Sequence, residues 1–503
     1  MRPTSEVSER AARAVAGRPG GARERGPRAA ALVLVAALVG YVGLFGWLTW
    51  LQQANFGTFD FDLGVFDQEI WLAAHHWDAL ITIRGLTLWA NHVNPIVYLL
   101  VPFYWLGAGP HVVYLVQVVA LAGAAVPLWL LTRERAGAWS ATAVAVAWLA
   151  SPAVEWMSWW SFQPEYLAVP ALIAAYWFAD RRRWISYGIC VALALATKED
   201  AALAVAALGI VLVARHRVRA GLVTVAAAMA WFLVAVEVIM RAATPGAAPF
   251  FVYQYSALGS SVTQVALNVV RRPLILLDAL ARAATRRYLV QLLAPTAFLA
   301  LVAPLALVIA LPTLIENVLN NQGYTTDIHY QYSALLVVGI FLALAEAFGR
   351  LARVPRLRVV ASLVVVVTAL AANVAWSPSP LDASAYHGGY WALSGSPRTR
   401  ELARLVARVP ASAGVSASYD VVPHLAHRDV IYSWPNPWIR TNYGVSASQP
   451  AEPIGAVDYL VVDETTLDAT GRALLQRLVG PGGPFRVVVE RDQALLAVRQ
   501  RVR

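Results

Sequence analysis

From Ala29 to Leu51 the chain runs for 23 residues without a charged side chain. A run of that length covers about 30 Å of hydrocarbon. In lipid every backbone amide needs an internal partner, so the run is read as a helix. More apolar runs follow, and arginines punctuate them. The clusters are Arg133 and Arg135; Arg181, Arg182 and Arg183; Arg215, His216, Arg217 and Arg219; and Arg350, Arg353, Arg356 and Arg358. At 59% hydrophobic and 14% charged, the composition is that of a polytopic membrane protein. Basic segments favour the cytoplasmic side. Placing every cluster there, with the basic N-terminus, requires spans near 112–131, 138–152, 166–179, 184–197, 201–214, 220–240, 289–302, 304–319, 332–348 and 357–375. With the first run that makes about eleven crossings, N-terminus inside and C-terminus outside. Residues 94–107 are apolar but left over, and are assigned to a re-entrant or juxtamembrane helix.

Three regions differ from the spans. Residues 1–28, with Arg2, Arg10, Arg13, Arg18, Arg23, Arg25 and Arg28, have the composition of a disordered cytoplasmic tail. The first span lacks a small-residue cleavage site and reads as a retained anchor. Residues 29–375 form the membrane domain, with outer loops expected at 52–111 and 241–288. The second loop holds Arg271, Arg272, Arg282, Arg286 and Arg287, cations on the unexpected side, which an anion such as a lipid phosphate would explain. Beyond Ala375, Ser377-Pro378-Ser379-Pro380 reads as a linker. Residues 376–503 then read as a soluble domain, with helices at 398–409 and 471–479 and strands at 415–418, 459–462 and 486–489. The expected fold is an all-α polytopic membrane protein with a small C-terminal α/β extracytoplasmic domain. The single Cys190 excludes an internal disulfide. The net charge of +10 lies largely between spans and reads as topology and lipid contact, with no nucleic-acid partner. Arginine- and alanine-rich usage points to a high-GC bacterium, hence its plasma membrane.

Four polar motifs interrupt the apolar chain, and this threading puts all of them outside. Phe59 to Gln68 carries Asp60, Asp62 and Asp67; the others are Phe162-Gln163-Pro164-Glu165, Lys198-Glu199-Asp200 and Asp327-Ile328-His329-Tyr330. Motifs scattered in sequence but gathered on one face suggest one site. Asp62, with Asp67, is the candidate general base or metal ligand; helix capping at the membrane surface is the alternative. Five residues apart, the two would diverge by about 140° on a regular helix, and a bend at Gly64 would be needed to bring them together. Lys198 is the only lysine in the chain. Where bare charge suffices this sequence uses arginine, so a compact ammonium is suited to a phosphate or a carboxylate partner. A self-neutralising loop pair is the other reading. Trp156, Trp159 and Trp160 precede Glu165 and fit either an interfacial belt or a sugar-stacking surface. His92, before Asn94-Pro95, and His329 are structural hydrogen-bonders or, with the acids, ligands of a divalent cation. The cofactor is left unassigned, with a divalent cation as one candidate.

These motifs resemble a family of bacterial predicted membrane proteins, domain-of-unknown-function family 2079, from about residue 45 into the C-terminal domain. The stretch Phe61 to Gln68, His92-Val93-Asn94-Pro95, Lys198-Glu199-Asp200 and His329-Tyr330 carry the resemblance. Gln163 departs from an expected Phe-His-Pro-Glu pattern, which weakens a metal role for that turn. The layout looks like the GT-C membrane glycosyltransferases, which take sugars from polyprenyl phosphate. The resemblance implies that Asp62 activates the acceptor. It implies that Lys198 and the outer arginines, Arg271 and Arg272 among them, hold the lipid phosphate, and that His329 assists near the donor. The candidate site is thus Asp62 and Asp67 as catalytic groups. Lys198, Glu199, Asp200, Glu165, His92, His329, Tyr330, Arg271 and Arg272 are the substrate-binding candidates. The partners are a lipid-linked sugar and the membrane, with the acceptor open. The competing reading is a transporter or lipid flippase that uses the carboxylates as a cation or proton relay.

Overall fold

The computed structural model describes residues 20–76, 80–244, 250–378, 395–440 and 454–500. Residues 1–19 of the expected tail, 379–380 of the expected linker and 381–394 of the expected soluble domain lie outside the described residues. The first helix, Gly20–Ala54, begins within the region expected to be disordered, so residues 20–28 are helical.

Five helices are long and apolar enough to cross a membrane: 26–54, Pro110–Ala136, Val218–Ala243, Gln331–Leu351 and Pro355–Trp376. Shorter apolar helices cover Ala138–Leu149, Trp184–Leu195, Ala201–Ala214 and Pro304–Leu319. Ala334–Leu351 is buried along nearly all its length and is the axis of the bundle. Leu336, Phe341, Leu344 and Phe348 of this helix belong to the main core, with Leu128, Trp148, Leu172 and Leu208 from other helices. Two helices approach until their backbones touch. A Cβ on Gly221 would sit 2.5 Å from Gly209 O, and one on Gly209 2.8 Å from Gly221 O. Only glycine permits the Ala201–Ala214 and Val218–Leu233 pair to pack this closely.

Residues 94–107 form a five-residue 3₁₀ turn, Pro95–Leu99, and a five-residue helix, Val101–Trp105, both too short to cross. The expected crossing at 289–302 is not one continuous helix. Ala283–Leu293 ends before Pro295, and Ala297 and Phe298 are left-handed, with φ of 51° and 59°. Pro295 has no amide proton to continue the helix, and the core packing around Ala297 shelters the irregular backbone.

One end of the bundle is tied by a partly buried charge network. Arg135 Nη2 donates to Glu346 Oε1 at 2.8 Å and also binds Asp180. Arg215 donates to Asp180 Oδ1 at 3.0 Å and to Glu346 Oε1 at 2.5 Å. Arginines that read as topology signals are thus also the fasteners between helices. The helices Trp184–Leu195 and Ala201–Ala214 run between this end and the turn that carries Lys198, so the polar motifs lie at the opposite end.

The C-terminal part is an α/β sheet. A short hairpin, β1 (Leu80–Ile81) and β2 (Leu86–Thr87), precedes it in the chain. The sheet strands are β3 (Val415–Ala417), β4 (Ile431–Ser433), β5 (Tyr459–Asp463), β6 (Phe485–Arg491) and β7 (Ala494–Arg499), in the order β4-β3-β5-β7-β6. β4, β3 and β5 are parallel; β7 pairs antiparallel with β5 and β6. Helices Pro397–Val406 and Ala469–Val479 accompany it. The short β4 and the pairing of β7 had no sequence counterpart. This unit does not stand alone, because Phe56, Val65, Ile81 and Leu88 of the first loop share one core with Leu402, Val415, Ile431 and Leu496.

Candidate active site

Between the bundle and the sheet lies a cavity of about 980 Å³. The first loop enters it at Asp60–Gly64. Phe61 is extended, and Asp62 has φ 68° and ψ −85°, close to a strained γ-turn at about +75° and −65°. Non-glycine residues occupy this region at a cost, and such strain concentrates at functional sites. Val65–His75 then starts, and the Val65 N–H is shared between Asp60 O and Asp62 O. The turn therefore aims the Asp62 carboxylate at the cavity. Burial pushes that carboxyl above the usual range, and the Gln163 and Trp160 side chains, with His92 and Lys198, offset it only in part. Burial likewise lifts Asp60 to about 6 despite its bond with Ser433.

The turn after Trp184–Leu195 supplies the charges opposite. Lys198 Nζ lies 2.9 Å from Glu165 Oε2 and 2.9 Å from Asp200 Oδ2. Burial raises the Glu165 carboxyl, against the pull of Lys198. Glu199 Oε1 is 2.9 Å from His92 Nδ1, and its Oε2 accepts the Val93 N–H at 3.1 Å. Burial would raise Glu199, but His92 and Lys198 dominate and hold it near 2. A backbone bond from Ile96 N–H to Ala196 O, 2.8 Å, fixes the two segments together. Thus Asp62, Glu165, Lys198, Glu199, Asp200, His92 and Tyr330 all line one cavity.

Four expected site residues do not line it. Asp67 is fully buried on the far side of Val65–His75. It accepts from Tyr104 OH at 2.5 Å and lies 3.1 Å from His427 Nε2. The bend occurs at Phe61 and Asp62, upstream of a regular helix, so it turns Asp62 alone into the cavity. His329 lies against Trp156, ring centroids 4.3 Å apart, and pairs with Asp327. Arg271 and Arg272 are exposed at the end of Val262–Arg271. That helix instead faces the cavity with Val262, Val265, Ala266 and Val269, one apolar stripe at helical spacing.

Other lining residues carried weaker signals. Arg84 sits in an apolar stretch within the first loop, 5.3 Å over the Phe61 ring, and Glu316 is an acid within an expected span. An ionisable group inside a span is itself a functional signal. Gln163, noted only as a departure, faces Asp62. Tyr419, Ser433, Trp434 and Asn436 come from the C-terminal sheet, and nothing in their sequence pointed to this cavity. Among the described residues no group of three or more His, Cys, Asp or Glu side chains is placed to hold a metal.

The model of the predicted membrane protein family DUF2079 matches residues 53–493. The chain belongs to DUF2079. No curated protein matches it in sequence. Solved structures do match in fold. ArnT from Cupriavidus metallidurans in the apo state is similar at TM-score 0.53 and 13% identity, over 91% of this chain and 98% of that one. The same enzyme bound to undecaprenyl phosphate gives 0.50 and 14%, over the same shares. The Archaeoglobus fulgidus oligosaccharyltransferase, in complex with Zn and sulfate, gives 0.44 and 13%, over 86% of this chain and 68% of that one. At such identities the likeness to ArnT is one of fold alone.

Proposed function

We propose that this DUF2079 chain is an inverting glycosyltransferase. It moves a sugar from a polyprenyl-phosphate carrier to an acceptor hydroxyl on the outer face of a bacterial plasma membrane. The observation that carries the reading is Asp62. Its carboxylate projects from a strained turn into a large cavity that has cations and an apolar chamber on the same side. Lys198 and Arg84 are the cations that line the cavity and suit a phosphate, with the His92 ring beside them, and Leu203, Met229, Phe232 and the Val262–Val269 stripe suit a prenyl tail. The fold neighbour ArnT was crystallised with undecaprenyl phosphate, which is consistent with such a donor.

In this mechanism Asp62 removes the proton from the acceptor hydroxyl. The oxygen forms a bond to the anomeric carbon from the face opposite the phosphate. The bond from that carbon to the phosphate oxygen breaks, and its electron pair leaves with polyprenyl phosphate. The proton remains on Asp62 until solvent takes it. Lys198 is shared between Glu165 and Asp200, so phosphate binding would redistribute that cluster. The topology proposed with it has about eleven crossings, the N-terminus inside, and the loops and C-terminal domain outside. Arg271 and Arg272, off the cavity, would meet headgroup phosphates at the interface. A relay for transport would need titratable groups strung across the bundle. The cavity acids instead gather at one end.

The test is release of free polyprenyl phosphate by the protein in lipid nanodiscs, from a panel of polyprenyl-phosphate sugars, with and without Mg²⁺ or Mn²⁺. Release that disappears in Asp62→Asn, with the variant still folded, supports the reading. Undiminished turnover by Asp62→Asn would sink the base assignment.

A further inference from the structure

The two sides of the cavity differ in chemistry. One side belongs to the helical domain and holds Lys198 and His92 together with the apolar stripe, while Arg84, from the turn between β1 and β2, lies 5.3 Å over the Phe61 ring beside Asp62. The other is the carboxyl edge of the parallel strands β3 and β4, through Tyr419, Ser433, Trp434 and Asn436. Open sheets bind ligands outside the carboxyl ends of parallel strands, where the loops present groups that no ladder uses.

This edge is preorganised. Trp434 N–H donates to Ala417 O at 2.8 Å, and Asp60 N–H donates to Tyr419 O at 2.8 Å. Asn436 Nδ2 donates to Ser433 O at 2.8 Å, and Ser416 Oγ donates to Asn436 O at 2.7 Å. The bond from Asp60 to Tyr419 joins the sheet edge to the loop that carries Asp62, and Ser433 reaches Asp60. Aromatic rings continue across the join: Phe59 lies 5.6 Å from Tyr419 and 6.2 Å from Trp160.

Aromatic faces interleaved with a carboxylate, a hydroxyl and an amide suit a neutral polyol. The C–H face of a sugar ring packs on Tyr or Trp, and its hydroxyls exchange hydrogen bonds with Asp, Ser and Asn. An anionic acceptor would face the two carboxyl groups of Asp60 and Asp62 against the single guanidinium of Arg84. A lipid acceptor would find no apolar stripe on it. We infer that the carboxyl edge of the C-terminal sheet is the acceptor site, and that the acceptor is a neutral carbohydrate whose hydroxyl it delivers to Asp62. This deepens, and rests on, the glycosyltransferase reading of the same cavity.

The experiment is equilibrium binding of neutral gluco-, manno- and galacto-configured oligosaccharides to the full-length protein in nanodiscs. A serine- and threonine-containing peptide is the comparison, and polyprenyl phosphate is a separate ligand. Ser433→Ala and Tyr419→Ala are the variants, both at partly exposed positions, with thermal melting as the check on folding. Saturable oligosaccharide binding that each variant weakens about tenfold, with polyprenyl phosphate affinity unchanged, supports the site. Absence of binding by every oligosaccharide overturns it. So does binding indifferent to both variants, or binding of the peptide in place of the sugars. Because binding is read without turnover, the two readings separate. Sugar binding without any Asp62-dependent release of polyprenyl phosphate would defeat the transferase reading alone. Such release without sugar binding would defeat the acceptor site alone.

Discussion

At Asp62, φ of 68° and ψ of −85° place a carboxylate where a relaxed turn would not. The same turn leaves Asp60 buried two residues earlier, and the two acids have different consequences. Asp62→Asn is expected to lower transfer by roughly 10²–10⁴-fold in kcat, the usual worth of a general base, with polyprenyl phosphate binding retained. Because burial raises the Asp62 carboxyl, the wild-type rate should fall on acidification at a pH above the ordinary carboxylate range. That acid limb should vanish from the residual activity of the variant. Asp60 has a folded pKa of about 6, above its unfolded value. Its ionisation therefore opposes folding. The penalty is absent below the unfolded pKa, grows as pH rises toward 6, and is complete above it. Asp60→Asn should stabilise the protein at pH 8, by up to about 3 kcal/mol, and much less at pH 4, read by thermal melting at the two pH values.

At the scale of elements, the helix Val65–His75 works from both faces. Its start aims Asp62 at the cavity, and Asp67 on it grips the C-terminal unit through His427, with Tyr104 holding the carboxylate in place. Burial lowers the His427 imidazole, but the Asp67 carboxylate outweighs it and leaves it raised. Docking strength from this pair is therefore full below the unfolded histidine pKa and is lost as pH rises through the folded one. Asp67→Asn should weaken docking by about 2 kcal/mol. Hydrogen exchange in β4 would rise at pH 6, and the difference from wild type would narrow at pH 9. The helices Ala201–Ala214 and Val218–Leu233 make a second, independent demand. Gly221→Leu would drive a side chain into the Gly209 backbone, costing about 1–3 kcal/mol and displacing the turn at Lys198. A lowered melting temperature together with weaker polyprenyl phosphate binding is the expected result.

At the scale of the whole molecule, the C-terminal unit and the first loop form one body. Phe56, Ile81 and Leu88 share a core with Leu402, Val415 and Ile431, and Thr82 Oγ1 both donates to Ile431 O and accepts from Ile431 N–H, at 2.7 and 2.9 Å. Truncation after Trp376 would leave that apolar surface uncovered. The expected outcome is loss of protection across residues 56–90 by hydrogen exchange, together with loss of transfer. A fully protected first loop in the truncated protein would show instead that the sheet is a separable appendage.

The sequence alone determined what depends on local composition and length. Apolar runs such as Ala29–Leu51 and 357–375 have to be helices in lipid. The polar motifs around Asp62, Glu165 and Lys198 stood out because charge is scarce in such runs. The stretches 415–418, 459–462 and 486–489 read as strands of a small α/β domain. Only the tertiary structure decided what depends on direction and on partners distant in the chain. Asp62 and Asp67 are five residues apart, yet a strained turn upstream sends one into the cavity while a regular helix sends the other toward His427. Pro295 and the left-handed Ala297 break an apolar run that hydropathy reads as continuous. Arg84 and Glu316 reach the cavity from segments whose residues mostly do not. Tyr419, Ser433, Trp434 and Asn436 reach it because a core shared across more than 300 residues of sequence folds the sheet onto the first loop. No period, motif or composition within either segment records that contact.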